Sequence, residues 1–540
     1  MTNKIVSIAS IASIVSIVSI ASIASITPIE VAAQNEGQYR LADATQLWRL
    51  TDNAAGLGID NSDNRGYAEF DFQHSEGDYR RVQEGGQRNQ LKFDTERYQR
   101  IGQMLVGYGR FTFGMDRTKD RSWCDVMRPY NSNPFFSGSS ISGKYDTQQF
   151  DFSAALSTIP IPLAGDEADR ELALGCRLDY KASDLSRLRD PRSRSELLDY
   201  KIAPAVTYTF GRNTLGLAGY YDRRKEKIPN ITTVQNDPNL MYYQMTGMEQ
   251  ATGLVGGYSG FQREWVNHQL GAELTFSLTP APSRKGGVGG GASLNSIGIV
   301  RGKEDVWGQY KYSPGQYISY IYKVSSYNRL RSKSGSVLHQ LDLEADFQQA
   351  YADEYRQTLV QERDADKGYT SYRYDTQITY KKRYQVQTYD ASLHYRYNGV
   401  NGDAIYGYLG AAASLQGAAN KHLLPTSKLE YQRMNFSVEA GHALLNDRLW
   451  FDAIVTYSHA PKADLSLAEA TTDYAVQVLE PDMAYYSANF RRGQLSLKYL
   501  FPFTFKGIHS NAYIKAYADI LKAQHSLDRK TFGATLGLYY

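Results

Sequence analysis

From residue 531 the chain reads TFGATLGLYY. Phe532, Ala534, Leu536, Leu538 and Tyr540 alternate with Thr531, Gly533, Thr535, Gly537 and Tyr539. A period of two belongs to a β-strand with one apolar face. The same alternation returns along the chain from about residue 65. DYKIAPAVTYTF sets Tyr200, Ile202, Val206, Tyr208 and Phe210 against Lys201, Ala203, Ala205, Thr207 and Thr209. VNHQLGAELTFSL, VLHQLDLEADF and YDASLHYRYN repeat the arrangement, as do RMNFSVEAGH, RLWFDAIVTYS and NAYIKAYADI. About fourteen to nineteen such segments can be read. Helical spacing is confined to short pieces, ADATQLWRL near residue 42 and ADLSLAEA at 463–470.

A secreted sandwich, propeller or β-helix would also alternate. Three features favour a barrel in a membrane. Many segments run ten residues or more, the length of a tilted strand crossing a bilayer, whereas soluble strands mostly run about five or six. The non-apolar face carries Asp, Glu, Arg, Lys and Asn in midstrand, as a wet lumen permits. No motif recurs at a fixed spacing of 40–50 residues, as propeller blades require. The 43 Tyr, against 20 Phe, cluster at strand ends (HYRYN, YRYDTQITY, DMAYYSANF), as girdles at the two lipid–water boundaries do. The fold class expected is therefore all-β. It is a transmembrane antiparallel up-and-down barrel of about 14–18 strands, with long external loops and a short N-terminal helical segment.

The first residues, MTNKIVSIASIASIVSIVSIASIASITPIEVAAQ, add an address. Lys4 is followed by a Ser/Ile/Ala/Val tract, then by Val31-Ala32-Ala33, a small-residue cleavage pattern. Residues 1–33 read as a signal peptide, residues 34–64 as an N-terminal segment forming a small hatch or a periplasmic-rim helix, and residues 65–540 as the barrel. The expected location is the cell outer membrane of a Gram-negative bacterium. A formal charge of +3 makes no case for a nucleic-acid partner. Two cysteines form no disulfide framework. Cys176 falls in phase with Leu172, Leu174 and Leu178 and reads as a small buried hydrophobe, Cys124 as a loop thiol.

The last ten residues resemble the C-terminal signal read by the outer-membrane insertion machinery. Thr531, Gly533, Leu536 and Leu538 match its polar residue, Gly and two spaced hydrophobics, and two further residues follow, ending in Tyr540 where the familiar signal ends in Phe. The stretch RSWCDVMRPYNSNPFFSGSSISGKYDTQQFDFSAAL (121–156) resembles uncharacterised Gram-negative outer-membrane β-barrel proteins of about this length. That resemblance implies fold and location and no activity. TDNAAGLG (51–58) is similar to the Asn-Pro-Ala-Gly-Leu stretch of fatty-acid-transporter-type barrels, with Ala54 in place of the Pro.

Candidate chemistry is sparse. SRKGGVGGGAS (283–293) lacks the Gly-Lys-Ser/Thr ending of a phosphate loop. DADKGY (364–369) and DNSDNRG (60–66) each place a Gly one position away from that of a calcium loop, so both read as surface turns. The nine His show no metal spacing, and no Gly-x-Ser-x-Gly elbow occurs. Neither catalytic residues, nor a metal site, nor a cofactor is expected, and the chain is read as not an enzyme. The insert at 223–260 is long enough to suggest a role. Its Met241, Tyr242, Tyr243 and Met245 are the candidate lumen or loop residues for specificity. The leading expectation is a passive pore or transporter for an unidentified solute. The alternative is a closed binding or scaffold barrel that holds a surface lipoprotein or secreted partner. Expected partners are outer-membrane lipid and the insertion machinery.

Overall fold

A computed structural model describes residues 35–60, 64–163, 170–234, 240–255, 261–279, 290–363, 368, 370–505 and 508–540. The signal peptide expected at 1–33 lies outside these residues, as do most of the Gly-rich stretch at 283–293 and of the turn at 364–369. No described helix is long and apolar enough to cross a membrane.

Eighteen long antiparallel strands close into one barrel. The first, Arg65–Gly77, pairs with the second, Gln87–Ile101, and with the last, Asp528–Tyr539. At that seam Phe70 lies opposite Leu536 and Phe72 opposite Ala534. Closure leaves no free sheet edge, the condition for a sheet to sit in hydrocarbon.

The alternation read from the sequence is the division between outside and inside. Phe70, Leu536, Leu270, Val438 and Val455 are more than half exposed, while Thr535, Thr207 and Ala203 of the opposite phase are buried. The outward row is rich in exposed Leu, Ile, Val, Phe and Tyr, and the inward row carries most of the buried polar and charged side chains. An apolar exterior around a polar interior is the inverse of a soluble protein and matches an outer-membrane barrel. The protein is an outer-membrane β-barrel.

Three long connections, 122–142, 229–262 and 467–489, leave the same end of the barrel, and at the opposite end the turns at 102–104, 211–212, 402–403 and 445–448 are short. By the architecture of such barrels the long-loop end is external and the short-turn end periplasmic. Two neighbouring strands, Val337–Arg363 and Thr370–Asn401, run well beyond the rest on the external side.

Two expectations are corrected. ADLSLAEA is not helical: the strand Leu449–Ser466 runs into it, and the helical stretch comes later, at Ala475–Leu479 and Glu480–Ser487. The two pieces form one continuous run, and Pro481 sits just past its π-helical turn Ala475–Leu479. The cysteines also exchange environments. Cys176 is exposed on the outward, lipid-facing row and Cys124 is buried, both as free thiols. The apolar phase of Cys176 was the lipid phase, which a soluble-protein reading takes for a core.

Candidate functional site

The lumen is occupied from both ends. At the periplasmic end the N-terminal segment turns inward. Asn35 caps the helix Glu36–Thr45 through a reciprocal pair: its Oδ1 accepts from Gln38 N, and Gln38 Oε1 accepts from Asn35 N. The helix then ties itself to the wall. Lys498 Nζ donates to Glu36 Oε2 at 2.9 Å, and Arg40 makes a two-pronged contact with Asp452 at 2.8 and 2.9 Å. Buried Arg65 reaches Asp43 at 3.2 Å.

Two tight turns, Trp48–Leu50 and Ala54–Gly58, carry the chain across the lumen to the opposite wall. There Lys201 pairs with Asp52 at 2.7 Å, and Asn53 Nδ2 donates to Val206 O at 3.2 Å. Asp452 and Lys201 stand on the fifteenth and sixth of the eighteen strands, half the circumference apart. The segment therefore spans the mouth. Its approach to the wall is close enough to require glycine at 175, where a Cβ would lie 2.3 Å from Ala55 N. Burial raises the Glu36 carboxyl, but Lys498 and Arg40 outweigh it and hold the group at about 2. Asp52 is likewise burdened by burial and is held below its ordinary value by Lys201.

At the external end the long connections fold into the barrel. Ser137–Gly138 and the hairpin Met241–Gly247/Gln250–Val255 make a three-stranded sheet. Trp123 packs against Tyr243 at 4.4 Å between ring centres and against Tyr474 at 5.2 Å. A larger apolar cluster sets Phe135, Tyr242 and Tyr486 of the inserts against inward residues of the wall, among them Trp265, Tyr384 and Val386. The helix Glu480–Ser487 is anchored by Asp482, which is buried. Its two oxygens accept from Val82 N at 2.8 Å and from the Tyr130 hydroxyl at 2.5 Å. Burial pushes the Asp482 carboxyl up to about 7 against those donors.

Beneath this external insert lies a cavity of about 500 Å³. Its lining holds six cationic side chains against three carboxylates. Arg88 pairs with Asp116 at 2.8 Å, Arg492 pairs with Asp519, and Arg128 and Lys181 pair at 3.3 Å with Asp199 and Asp151 just outside it. Arg121 donates instead to the carbonyls of Cys124 and Val126. Arg529 donates to the Ser75 hydroxyl at 3.1 Å and has no carboxylate partner among the described residues. The cavity thus carries positive charge beyond its own neutralisation.

A model of a family of unknown function, DUF6850, matches residues 54–540. The chain belongs to the DUF6850 family. No curated protein matches it. Among solved structures, the DUF6850 chain is similar to the iron transporter FrpB from Neisseria meningitidis. The identity is 9% and the TM-score 0.38, with 88% of this chain and 81% of that one covered. It is similar to the outer-membrane transporter YddB from Escherichia coli at 8% identity and TM-score 0.38, covering 88% and 81%. For the ferric enterobactin receptor PfeA from Pseudomonas aeruginosa the values are 10% and 0.37, covering 89% and 81%. At such scores the likeness carries no functional argument. Neither the family match nor these structures supports the local likeness of 51–58 to fatty-acid-transporter-type barrels.

In the DUF6850 barrel the sequence-derived candidates occupy two places. Tyr242 and Met245 are fully buried in the external insert, Tyr243 is nearly so with its hydroxyl donating to Asp473 at 2.5 Å, and Met241 lies against Gly253. All four belong to the inserted hairpin, and none lines the 500 Å³ cavity. Leu536 points outward; Gly533 lies beneath the Tyr517 ring; Tyr540 is held by Gly66 O and Thr95. Leu538 shares the outward phase of Leu536 at the periplasmic end of the strand. Sequence reasoning missed Arg529, although its inward phase with Thr531 and Thr535 was available as a signal.

Proposed function

We propose that this barrel is a transporter for a small anionic solute, closed at rest by the N-terminal segment below and the folded loops above. The 500 Å³ lumen cavity with its cationic excess carries this reading. A guanidinium without a carboxylate, as at Arg529, is the group that selects carboxylate or phosphate in a pore or binding chamber. The closed ends argue against a permanently open passage and for one whose inserts move. A hatch made of about twenty-five residues tied by ion pairs to the wall is released at a few points, unlike a filled core.

Planar-bilayer recording with the mature protein tests this. The intact protein is expected to be mostly silent with brief anion-selective openings, and Arg529→Ser is expected to lower the anion-to-cation permeability ratio. Silence from a folded barrel under every condition, including after loosening of the N-terminal segment, would overturn the proposal in favour of a scaffold. Cation selectivity would overturn the charge of the solute.

A further inference from the structure

The outer wall carries a second cavity, about 340 Å³, separate from the lumen. Tyr320, Gln349, Tyr351, Gln387 and Lys421 line it, together with Lys382. Each of the first five shares its strand's phase with lipid-facing residues: Tyr320 with Tyr322 and Val324, Gln349 and Tyr351 with Phe347 and Leu343, Gln387 with Tyr389 and Leu393, and Lys421 with Leu409. Ala350 and Val386, which also line it, have the inward phase and pack in the apolar cluster of the external insert. The groove therefore faces away from the lumen.

Its height is fixed by register. Tyr322 is paired with Phe347, and Phe347 with Tyr389, so three aromatic rings form a girdle at one level. Tyr322 and Phe347 stack at 6.3 Å. One outward step further to the external side come Tyr320, Gln349, Gln387 and Ala419; one more brings Tyr351, Gln385 and Lys421. The groove begins where the apolar band ends, at the level of headgroups in the outer leaflet.

The chemistry of the groove is one-sided. No carboxylate lines it. Lys382 sits at a left-handed backbone position beside a bulge, with its ammonium 5.0 Å from the centre of the Tyr351 ring. Neither Lys382 nor Lys421 forms an ion pair among the described residues. By contrast, Lys428 and Lys462 on the wall both bind Glu430 at 2.5 Å. Two unpaired ammonium groups, side-chain amides and tyrosines above an apolar wall match an amphiphile bearing phosphate on a sugar. Phosphate would take the lysines, sugar hydroxyls the amides of Gln349 and Gln387, and acyl chains the wall below the girdle.

We infer that this groove is a binding site for the phosphorylated glycolipid of the outer leaflet. It requires the barrel's placement in the outer membrane and is independent of what the lumen carries. The test is a titration of the folded protein in neutral detergent, read by native mass spectrometry. The probes are diphosphoryl lipid A, its dephosphorylated form and inorganic phosphate. Diphosphoryl lipid A is expected to bind saturably, and the double change Lys382→Ser, Lys421→Ser to weaken binding ten-fold or more. Lys462→Ser, which removes a lysine already neutralised by Glu430, is expected to leave it unchanged. Heat-modifiable gel mobility reports folding of each variant. Equal affinity for the dephosphorylated lipid, displacement by millimolar phosphate, or an unaffected double variant would each overturn the inference.

Discussion

Lys498 on the sixteenth strand donates to Glu36 at 2.9 Å, and the same ammonium donates to the Tyr539 hydroxyl at 2.9 Å. One lysine thus ties the N-terminal segment to the strand that closes the barrel. Removing one member of a buried pair leaves the other uncompensated, typically at a cost of about 3–5 kcal/mol. Glu36→Ala is therefore expected to free the segment from that wall and to raise open probability in planar bilayers at least ten-fold. Unchanged conductance with a fully folded barrel would show that the segment does not occlude the mouth.

The pH dependence of this tie has a definite sign. Glu36 is held at about 2 in the folded protein, below its ordinary 4.5. A depressed carboxyl contributes stability above its unfolded value and loses it as pH falls toward the folded one. The segment is expected to stay docked from neutrality to about pH 4 and to loosen between there and about pH 2. Limited proteolysis within residues 36–60, followed against pH, checks this.

The external insert is expected to respond in the opposite direction. Asp482 is raised from 3.8 to about 7, so the docked helix prefers the protonated acid. A raised carboxyl stabilises docking below its unfolded value, and that contribution disappears as pH rises through about 4 to 7. Hydrogen-exchange protection of residues 475–487 should be higher at pH 5 than at pH 8, after correction for intrinsic rates. Asp482→Asn should flatten that difference.

Position along the last strand separates lipid from lumen. Leu536 is 55% exposed and lies near the middle of the apolar band, whereas Thr535 is buried and donates to Asp71 at 2.6 Å. Arginine facing lipid near midplane costs roughly 2–4 kcal/mol. Leu536→Arg should cut the yield of heat-modifiable barrel severely, and Thr535→Arg, whose guanidinium would meet the Asp71 carboxylate, should retain most of it. Equal loss at the two positions would reject the assigned phase.

The wall was legible because a barrel writes its inside and outside into every second residue. Tyr200, Ile202, Thr535 and Leu536 all face as their phase required. Signals failed where contact is not local. ADLSLAEA has helical spacing, yet pairing with Thr426–Leu444 carries the strand through Ser466. Cys176 is exposed because apolar phase here means lipid, and Cys124 is buried because its connection folds into the external insert. Met241, Tyr242, Tyr243 and Met245 were found from insert length and composition, but the burial of Tyr243 depends on Trp123 and Tyr474, 120 residues before it and 231 residues after it in the chain. The lumen cavity draws on strands from both ends of the sequence, so no window of sequence could contain it.

The seam between Arg65–Gly77 and Asp528–Tyr539 bears on how the molecule is made. Phe70 and Leu536 are 466 positions apart in sequence, and no other strand pair of the wall joins residues so distant. Until they meet, the growing sheet has two raw edges, and each exposed N–H or C=O in hydrocarbon costs several kcal/mol. Neither edge can wait in lipid for the other. An edge in hydrocarbon has to be paired until the ring is whole, so closure at this seam is expected to be coupled to insertion, and the Lys498–Glu36–Tyr539 junction to form with it.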